Sequence, residues 1–281
     1  MIIDLRYHLA SLAAIFLALG LGLLIGATAL KGDFLGESRR QILDTLERQV
    51  EQLRRDNQVR KAQVDYLQKK SDVQGDFARQ VLPVLVKGRL SGRRIAIVDA
   101  HGHGFPGGLV EALETAGAKI QSVTTITGGP EATGSGSRFA GEIALLIAGK
   151  GEKEALARLG EASLVTFSGD YGAPPDAVVL VGGYQEREKV KGRQIDLQLI
   201  DCFLAGNIPV YGVEETSVLF SSMKDYQKKG ISTVDNIDTV PGQVALILAM
   251  SKEPGNYGVK STARRLLPPL EDITGSGEGT K

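Results

Sequence analysis

The chain has 281 residues, enough for one globular domain of ordinary size together with an extended segment. Lysine plus arginine and aspartate plus glutamate each number 33, and a formal net charge of zero argues against a nucleic-acid-binding protein, which would carry a basic excess. The single cysteine, Cys202, excludes an internal disulfide framework and a cysteine-rich metal cluster.

The first element is an uncharged apolar run over residues 9–30, in which Ser11 and Thr28 are the only polar side chains. With about 1.5 Å of rise per residue, this run forms a helix of about 33 Å, which crosses a hydrocarbon core of about 30 Å. We therefore predict a transmembrane anchor over residues 1–32 that contacts membrane lipid through residues 9–30. A cleaved signal peptide stays open as an alternative, because residues 27–29 (Ala-Thr-Ala) resemble a small-x-small cleavage site.

One face of this helix carries a small residue at every fourth position. These residues are Ala10, Ala14, Ala18, Gly22 and Gly26. Small residues at that spacing let two helix backbones approach closely, so the anchor is predicted to pair with a second copy.

The charges beside the anchor leave its orientation open. Arg6 precedes the helix, whereas Lys31, Arg39 and Arg40 follow it, which weakly favours a cytoplasmic domain. Signal-like N-terminal helices, however, commonly export the chain that follows them.

A charged, glutamine-rich segment over residues 33–82 is predicted to form a coiled-coil stalk. In one heptad register the first four a and d positions are apolar: Leu43, Leu46, Val50 and Leu53. Asn57 takes the next a position, which favours two-stranded pairing, and Asp56 would face Lys61 of a parallel partner. The stalk and the anchor together predict a parallel homodimer. The alternative is a single amphipathic helix packed on its own domain.

Residues 83–272 are predicted to form an α/β domain. Buried strands over residues 94–98, 119–125, 177–181 and 208–213 alternate with helices over residues 109–116, 138–148, 153–159, 195–205, 217–227 and 239–251. This alternation is typical of a largely parallel sheet with helices on both faces, so the fold is predicted to be Rossmann-like or flavodoxin-like. The small, polar tail at residues 273–281 is predicted to be disordered.

A glycine-rich loop over residues 99–108 follows the first strand of this domain, where open α/β sheets bind ligands. Its glycines spell G-x-G-x-x-G, but residues 122–127 lack the acidic residue that the dinucleotide fingerprint needs, so we predict no cofactor. His101 and His103, joined by Asp99, are candidate metal ligands, because imidazole suits copper, zinc or nickel. The alternative is a plain loop, because side chains two residues apart need not converge on one ion.

The remaining polar groups indicate no catalytic site. Asp238 is predicted to cap the helix that begins near Thr239, although Asp235 and Asp238 would also suit a cation. Cys202 is predicted to be a buried structural thiol. The sequence has no nucleophile elbow, phosphate loop or triad signature, so we expect a non-enzymatic protein.

Three stretches of the chain resemble a known family. Residues 5–20 (LRYHLASLAAIFLALG), residues 234–239 (VDNIDT) and residues 255–260 (GNYGVK) leading to Leu267-Pro268 are similar to the MctB-like copper transporter family. The resemblance implies copper transport or homeostasis in the cell envelope and places the α/β domain outside the cytoplasmic membrane. Relatives are also linked to envelope assembly and cell separation through a protein partner.

Two functional hypotheses therefore stand. The resemblance favours copper handling with copper as a candidate ligand, although copper(I) prefers sulfur and the chain offers only Cys202, Met250, Met1 and Met223, the last expected to be exposed. The anchor and stalk favour a dimeric scaffold that presents its domain to an envelope protein, because one apolar helix cannot line an ion pathway alone.

Overall fold

The computed structural model describes residues 5–31, 34–100, 102, 104–128, 136–161, 163–186 and 193–270. The chain divides into two compact units, Met1–Ser71 and Asp72–Lys281. The domain boundaries predicted at residues 32, 82 and 272 rest on composition and stay predictions.

Helix α1, Leu5–Lys31, contains the apolar run predicted as an anchor. Its segment Arg6–Thr28 has a mean hydropathy of 2.4 and is long and apolar enough to cross a membrane, judged by length and composition. The side chains of this segment are exposed in the single chain.

Helix α2 runs over 53 residues, Phe34–Val86. Six apolar a and d side chains of the predicted seam are exposed: Leu43, Leu46, Val50, Leu53, Val64 and Leu67. Coiled-coil pairing of these side chains stays a prediction.

The helix passes through Pro83, which the sequence indicates, together with the Gly88–Gly92 region, as the end of the stalk. It continues to Val86, with Pro83 inside it. Proline removes one backbone hydrogen bond and favours a helix end, but Leu82 and Val86 on either side are buried in the core. Their burial holds the last turn in the helical conformation.

The α/β domain follows in chain order. Its strands are β1 (Arg94–Asp99), β2 (Lys119–Ile126), β3 (Val165–Gly169), β4 (Ala177–Val181), β5 (Val210–Val213), β6 (Ser232–Val234) and β7 (Asn256–Tyr257). Its helices are α3 (Leu109–Thr115), α4 (Gly136–Ile147), α5 (Lys153–Glu161), α6 (Arg193–Ala205), α7 (Met223–Lys228) and α8 (Val240–Ser251).

The seven strands form one mixed sheet in the order β3-β2-β1-β4-β5-β6-β7. All neighbours are parallel except β2 and β3, which are antiparallel. The α/β class and the largely parallel sheet predicted from the sequence are confirmed.

Both faces of the sheet are covered. Successive residues of β1 point to opposite faces, so Ile95 and Ile97 join one core with α3 and α8, whereas Ala96 and Val98 join the other with α4 and α6. The strands β1 and β4 are almost wholly buried, which explains their nearly continuous apolar sequences.

One predicted helix begins later than expected, and two short strands, β3 and β7, were not predicted. The helix predicted over residues 217–227 begins only at Met223, because residues 217–222 form a turn in which Phe220 pairs with Tyr184. Strand β3 was not predicted, because it is a short edge strand with polar residues on its open face. Met223, expected to be exposed, is fully buried.

Candidate functional site

A small crevice of about 70 Å³ lies beyond the carboxyl ends of β1, β4 and β5. In the sheet, β1 lies between β2 and β4, so the strand order changes direction between β1 and β4. Open α/β sheets bind ligands at such a switch point. The lining residues are Asp99, Gly104, Pro106, Val181, Gly182, Gly183, Gln185, Glu215 and Val218.

Asp99 organises the glycine-rich loop on one side of this crevice. Its side chain is buried, and its two carboxylate oxygens accept hydrogen bonds from the backbone N–H groups of Gly102 and Gly104, each at 3.0 Å. Both glycines have φ values in the left-handed region, +66° and +89°. The glycine pattern therefore serves a tight turn around a carboxylate.

Gln243 holds the far end of the same loop. It is a buried polar residue in the otherwise apolar helix α8, and its Nε2 donates to the Gly107 carbonyl at 3.1 Å and to the Ile237 carbonyl at 3.4 Å. A Cβ on Gly108 would lie 2.8 Å from the Gln243 Nε2. Sequence reasoning missed Gln243, although a lone amide within an apolar helix was an available signal.

Two glycines form the opposite wall, directly after β4. The Gly183 N–H donates to the Ser222 Oγ at 3.2 Å, and a Cβ on Gly183 would lie 2.7 Å from the Val218 side chain. A Cβ on Gly182 would press against the Tyr226 ring. This wall consequently has no room for larger residues.

A fully buried carboxylate lies near this wall. The Tyr226 hydroxyl donates to the Asp196 Oδ2 at 2.6 Å, and the Tyr184 hydroxyl donates to the same oxygen at 3.4 Å. Burial, reinforced by the Asp196 charge, raises the pKa of Tyr226 well above its ordinary value. Tyr226 is therefore held as a neutral hydrogen-bond donor.

The C-terminal segment is clamped to the carboxyl ends of β5 and β6. The Lys260 Nζ donates to the Glu214 Oε1 at 2.8 Å and to the Glu215 carbonyl at 2.9 Å. The Asp235 carboxylate accepts hydrogen bonds from the backbone N–H groups of Val259 and Lys260. We call the contacts of Lys260 with Glu214 and of Asp235 with residues 259 and 260 the C-terminal clamp.

The clamp explains two of the sequence stretches that carry the family resemblance. Gly258 has a φ of +134°, and a Cβ there would overlap the Asp235 carboxylate. The VDNIDT and GNYGVK stretches therefore pack against each other, and their shared role is structural.

Asp235 and Asp238 bind different segments. Asp238 does not cap α8, as the sequence analysis expected. Its Oδ1 accepts hydrogen bonds from the Thr216 backbone N–H at 2.8 Å and the Thr216 Oγ1 at 2.9 Å. Thr239 is the cap, since its Oγ1 accepts from the Gly242 N–H, and the helix begins one residue later with Pro241 in its first turn.

The predicted metal site is only partly within the structure. Asp99 is described, whereas His101 and His103 lie outside the described residues. Among the described residues, no group of three or more histidine, cysteine or acidic side chains is arranged to hold a metal ion. The metal site stays a prediction.

Cys202, predicted to be buried, is only half-buried on α6. Partial burial, assisted by the neighbouring Asp201 charge, raises the pKa of the Cys202 thiol. A thiol with a raised pKa is a poorer nucleophile at neutral pH.

One comparison with known proteins matches almost the whole chain. The family model described as "Copper transport outer membrane protein, MctB" matches residues 2–140 and residues 127–268. No curated protein matches the chain. The matched ranges include the apolar helix, the long helix α2, the crevice and the C-terminal clamp.

Proposed function

Because the chain belongs to the MctB family of copper transport outer membrane proteins, we propose that it handles copper in the cell envelope while one N-terminal helix anchors it in a membrane. The observation that carries this proposal is the family match over both the apolar helix and the α/β domain. The length and composition of Arg6–Thr28 support the anchor. We expect no catalytic step.

The proposed architecture is a single-pass, parallel dimer with an extracytoplasmic domain. The exposed a and d side chains of α2 support a coiled-coil stalk, because an apolar stripe of this spacing is stabilised when a second helix covers it. The strand order and the crevice at the switch point support a Rossmann-like domain.

Copper, as the transported or buffered substrate, would bind at the glycine-rich loop. Asp99 and Gln243 fasten this loop from both ends, and the N–H of Gly102, the residue between the two histidines, is bonded to Asp99. We assign copper binding to His101 and His103, because imidazole nitrogen is a good copper ligand. Both Asp99 oxygens accept backbone hydrogen bonds, so we assign Asp99 to positioning the loop.

Calorimetric titration of the detergent-solubilised full chain with copper tests this proposal. We expect saturable binding that is lost in the His101→Ala/His103→Ala variant. His8→Ala is the matched control, because His8 is the only other histidine of the chain and precedes the apolar segment. Unchanged binding in the double variant, or equal loss in the control, would contradict the assignment of the loop.

A non-enzymatic scaffold that binds another envelope protein is the second candidate function. Two large apolar side chains near the carboxyl ends of β5 and β6 favour it: Leu219 is 73% exposed and Val259 is 59% exposed. A photo-crosslinking residue at position 219 should capture one protein reproducibly in intact cells. The matched control is position 145 on α4, where Leu145 is 51% exposed. Equal capture from both positions would contradict a specific docking site.

A further inference from the structure

Among the described residues, one edge of the sheet is covered by a further segment and the other edge is not. Beside β7, the Arg264 N–H donates to the Asn256 carbonyl at 2.9 Å, and the Gly258 N–H donates to the Arg265 carbonyl at 3.1 Å. Both arginines are exposed, and charged side chains commonly prevent an edge from pairing with another strand. At the opposite edge, no strand among the described residues pairs with the outer side of β3.

The register of β3 shows which backbone groups face outward. The Asp170 N–H donates to the Gln121 carbonyl at 2.8 Å, and the Thr127 N–H donates to the Leu164 carbonyl at 3.0 Å. Hydrogen-bonded pairs alternate along an antiparallel ladder, so residues 166 and 168 also bond to β2. Residues 165, 167 and 169 therefore direct their N–H and C=O groups away from the sheet.

Two common protections of an edge strand, charge and proline, are missing from β3. None of the residues Val165–Gly169 is charged, and none is proline. Val165 and Phe167 pack into the core with α4, whereas Thr166 and Ser168 are exposed on the other face. The edge is thus uncharged, and it is unpaired among the described residues, although its last residue, Gly169, has a positive φ of +97°.

We propose that the β3 edge pairs with the β3 edge of a second copy, in an antiparallel register centred on Phe167. In this register Val165 lies opposite Gly169 of the second copy, and Thr166 lies opposite Ser168 of the second copy. Each outward N–H then meets an outward C=O, and no like charges face each other. A two-fold axis makes this register complementary to itself, which favours a second copy over an unrelated strand.

A five-residue edge is too small to hold two soluble chains together, because stable interfaces bury about 1,000 Å² or more. The inference therefore rests on the proposed function, in which copies share one membrane. Anchoring raises the effective concentration of one edge near another, so a weak contact can form.

Disulfide trapping in the full chain, reconstituted in phosphatidylcholine vesicles, tests the register. All variants carry Cys202→Ser, and chains with Thr166→Cys are mixed with chains carrying Ser168→Cys. These positions form a non-hydrogen-bonded pair in the proposed ladder, with Cα atoms about 4.5 Å apart, which suits a disulfide. We expect a crosslinked dimer that contains one chain of each kind.

The matched control is the Thr166→Cys chain alone, because two copies of position 166 lie out of line by two residues in the proposed register. We expect only background crosslinking from it. Equal crosslinking in the mixture and the control, or none in the mixture, would overturn the proposal.

Charge variants test the contact without a disulfide. Thr166→Lys/Ser168→Lys places lysine opposite lysine, whereas Thr166→Lys/Ser168→Asp places lysine opposite aspartate of the second copy. We expect hydrogen-exchange protection of the outward amides of residues 165 and 167 to be lost in the first variant and kept in the second. The amides of residues 166 and 168, which bond to β2, report whether the domain stays folded.

A cysteine at position 57, an a position of the proposed coiled coil, tests separately whether the stalk is paired. In a paired stalk the cysteines of the two chains form a disulfide. An intact crosslink at position 57 without any at residues 166 and 168 overturns the β3 proposal alone. Protection of the outward amides only when another envelope protein is added would also overturn it, in favour of a different occupant.

Discussion

The Lys260 ammonium neutralises a carboxylate, Glu214, whose side chain is 0% exposed, while the Lys260 side chain is 20% exposed. Lys260→Met would leave that buried charge without its cation, and we expect a loss of about 3 kcal/mol in the free energy of unfolding. Urea denaturation of the detergent-solubilised chain, followed by tyrosine fluorescence, measures the loss.

The control for this prediction is Lys228→Met. Lys228 pairs with Asp225 at 2.7 Å, but the Lys228 side chain is 66% exposed, so its loss should cost under about 1 kcal/mol. Equal destabilisation by the two variants would show that the C-terminal clamp does not hold the domain together.

Tyr226 makes the stability of the domain depend on alkaline pH. Its folded pKa lies well above the ordinary value of 10.0, so its contribution is complete below about pH 10 and falls as pH rises toward the folded pKa. Tyr226→Phe should cost about 1.5–3 kcal/mol at neutral pH, because Asp196 loses a hydrogen bond.

When the pH rises from 10 to 12, the free energy of unfolding of Tyr226→Phe should fall less than that of the wild type. Thermal unfolding at each pH measures this fall. Tyr211→Phe is the control, since the Tyr211 pKa is also raised by burial but no carboxylate causes that shift. An identical alkaline slope for wild type and Tyr226→Phe would exclude Tyr226 as the source of the dependence.

The residue types at the carboxyl edge of the sheet were visible in the sequence, but their partners were not. Asp99 and Asp235 were recognised as polar groups at strand ends, where ligands bind. In the structure the Asp99 carboxylate accepts N–H groups of the loop that follows it directly. The Asp235 carboxylate accepts N–H groups of a segment that is distant in the sequence. Which N–H group a carboxylate meets depends on the path of the loop, and a single sequence does not define that path.

At the scale of elements, variants at two equally exposed side chains of α2 test whether the coiled-coil seam, and not the apolar surface in general, pairs the stalk. Leu53 is 67% exposed and occupies a d position, whereas Val59 is 66% exposed and lies outside the proposed a/d seam. We expect Leu53→Glu to abolish the disulfide formed by a cysteine at position 57, because it places two charges in the seam. Val59→Glu should leave the disulfide unchanged. Similar losses in both variants would contradict the proposed register.

The predictability of each element followed its burial. Strands β1 and β4 were predicted within one residue, because strands covered on both faces have almost continuous apolar sequences. Strand β3 is covered on one face only and alternates with polar residues over five positions, too few to distinguish it from a loop. Helix α2 continues through Pro83 for a related reason, since the burial of Leu82 and Val86 outweighs a local helix-breaking preference.

For the whole molecule, charge and family membership favour opposite orientations. One basic residue, Arg6, precedes the apolar run and three follow it closely, which weakly favours a cytoplasmic domain. The family description names an outer membrane protein, and proteins of an outer membrane are exported across the cytoplasmic membrane. Long domains cross the membrane largely regardless of nearby charge. Family membership therefore carries more weight, and we expect the domain to lie outside the cytoplasmic membrane.

Cysteine labelling in intact cells tests this orientation. In the Cys202→Ser chain, Glu114→Cys places a thiol at an exposed position of α3, and Ile3→Cys places one before the apolar helix. A maleimide that does not cross the cytoplasmic membrane should label position 114 in intact cells and position 3 only after lysis. The reverse pattern would show a cytoplasmic domain.

The mass of the mature chain distinguishes an anchor from a cleaved signal peptide. A chain found outside the membrane, with a mass that lacks the first thirty or so residues, would show that the apolar helix is a cleaved signal peptide. An uncleaved helix of this hydropathy stays in the bilayer.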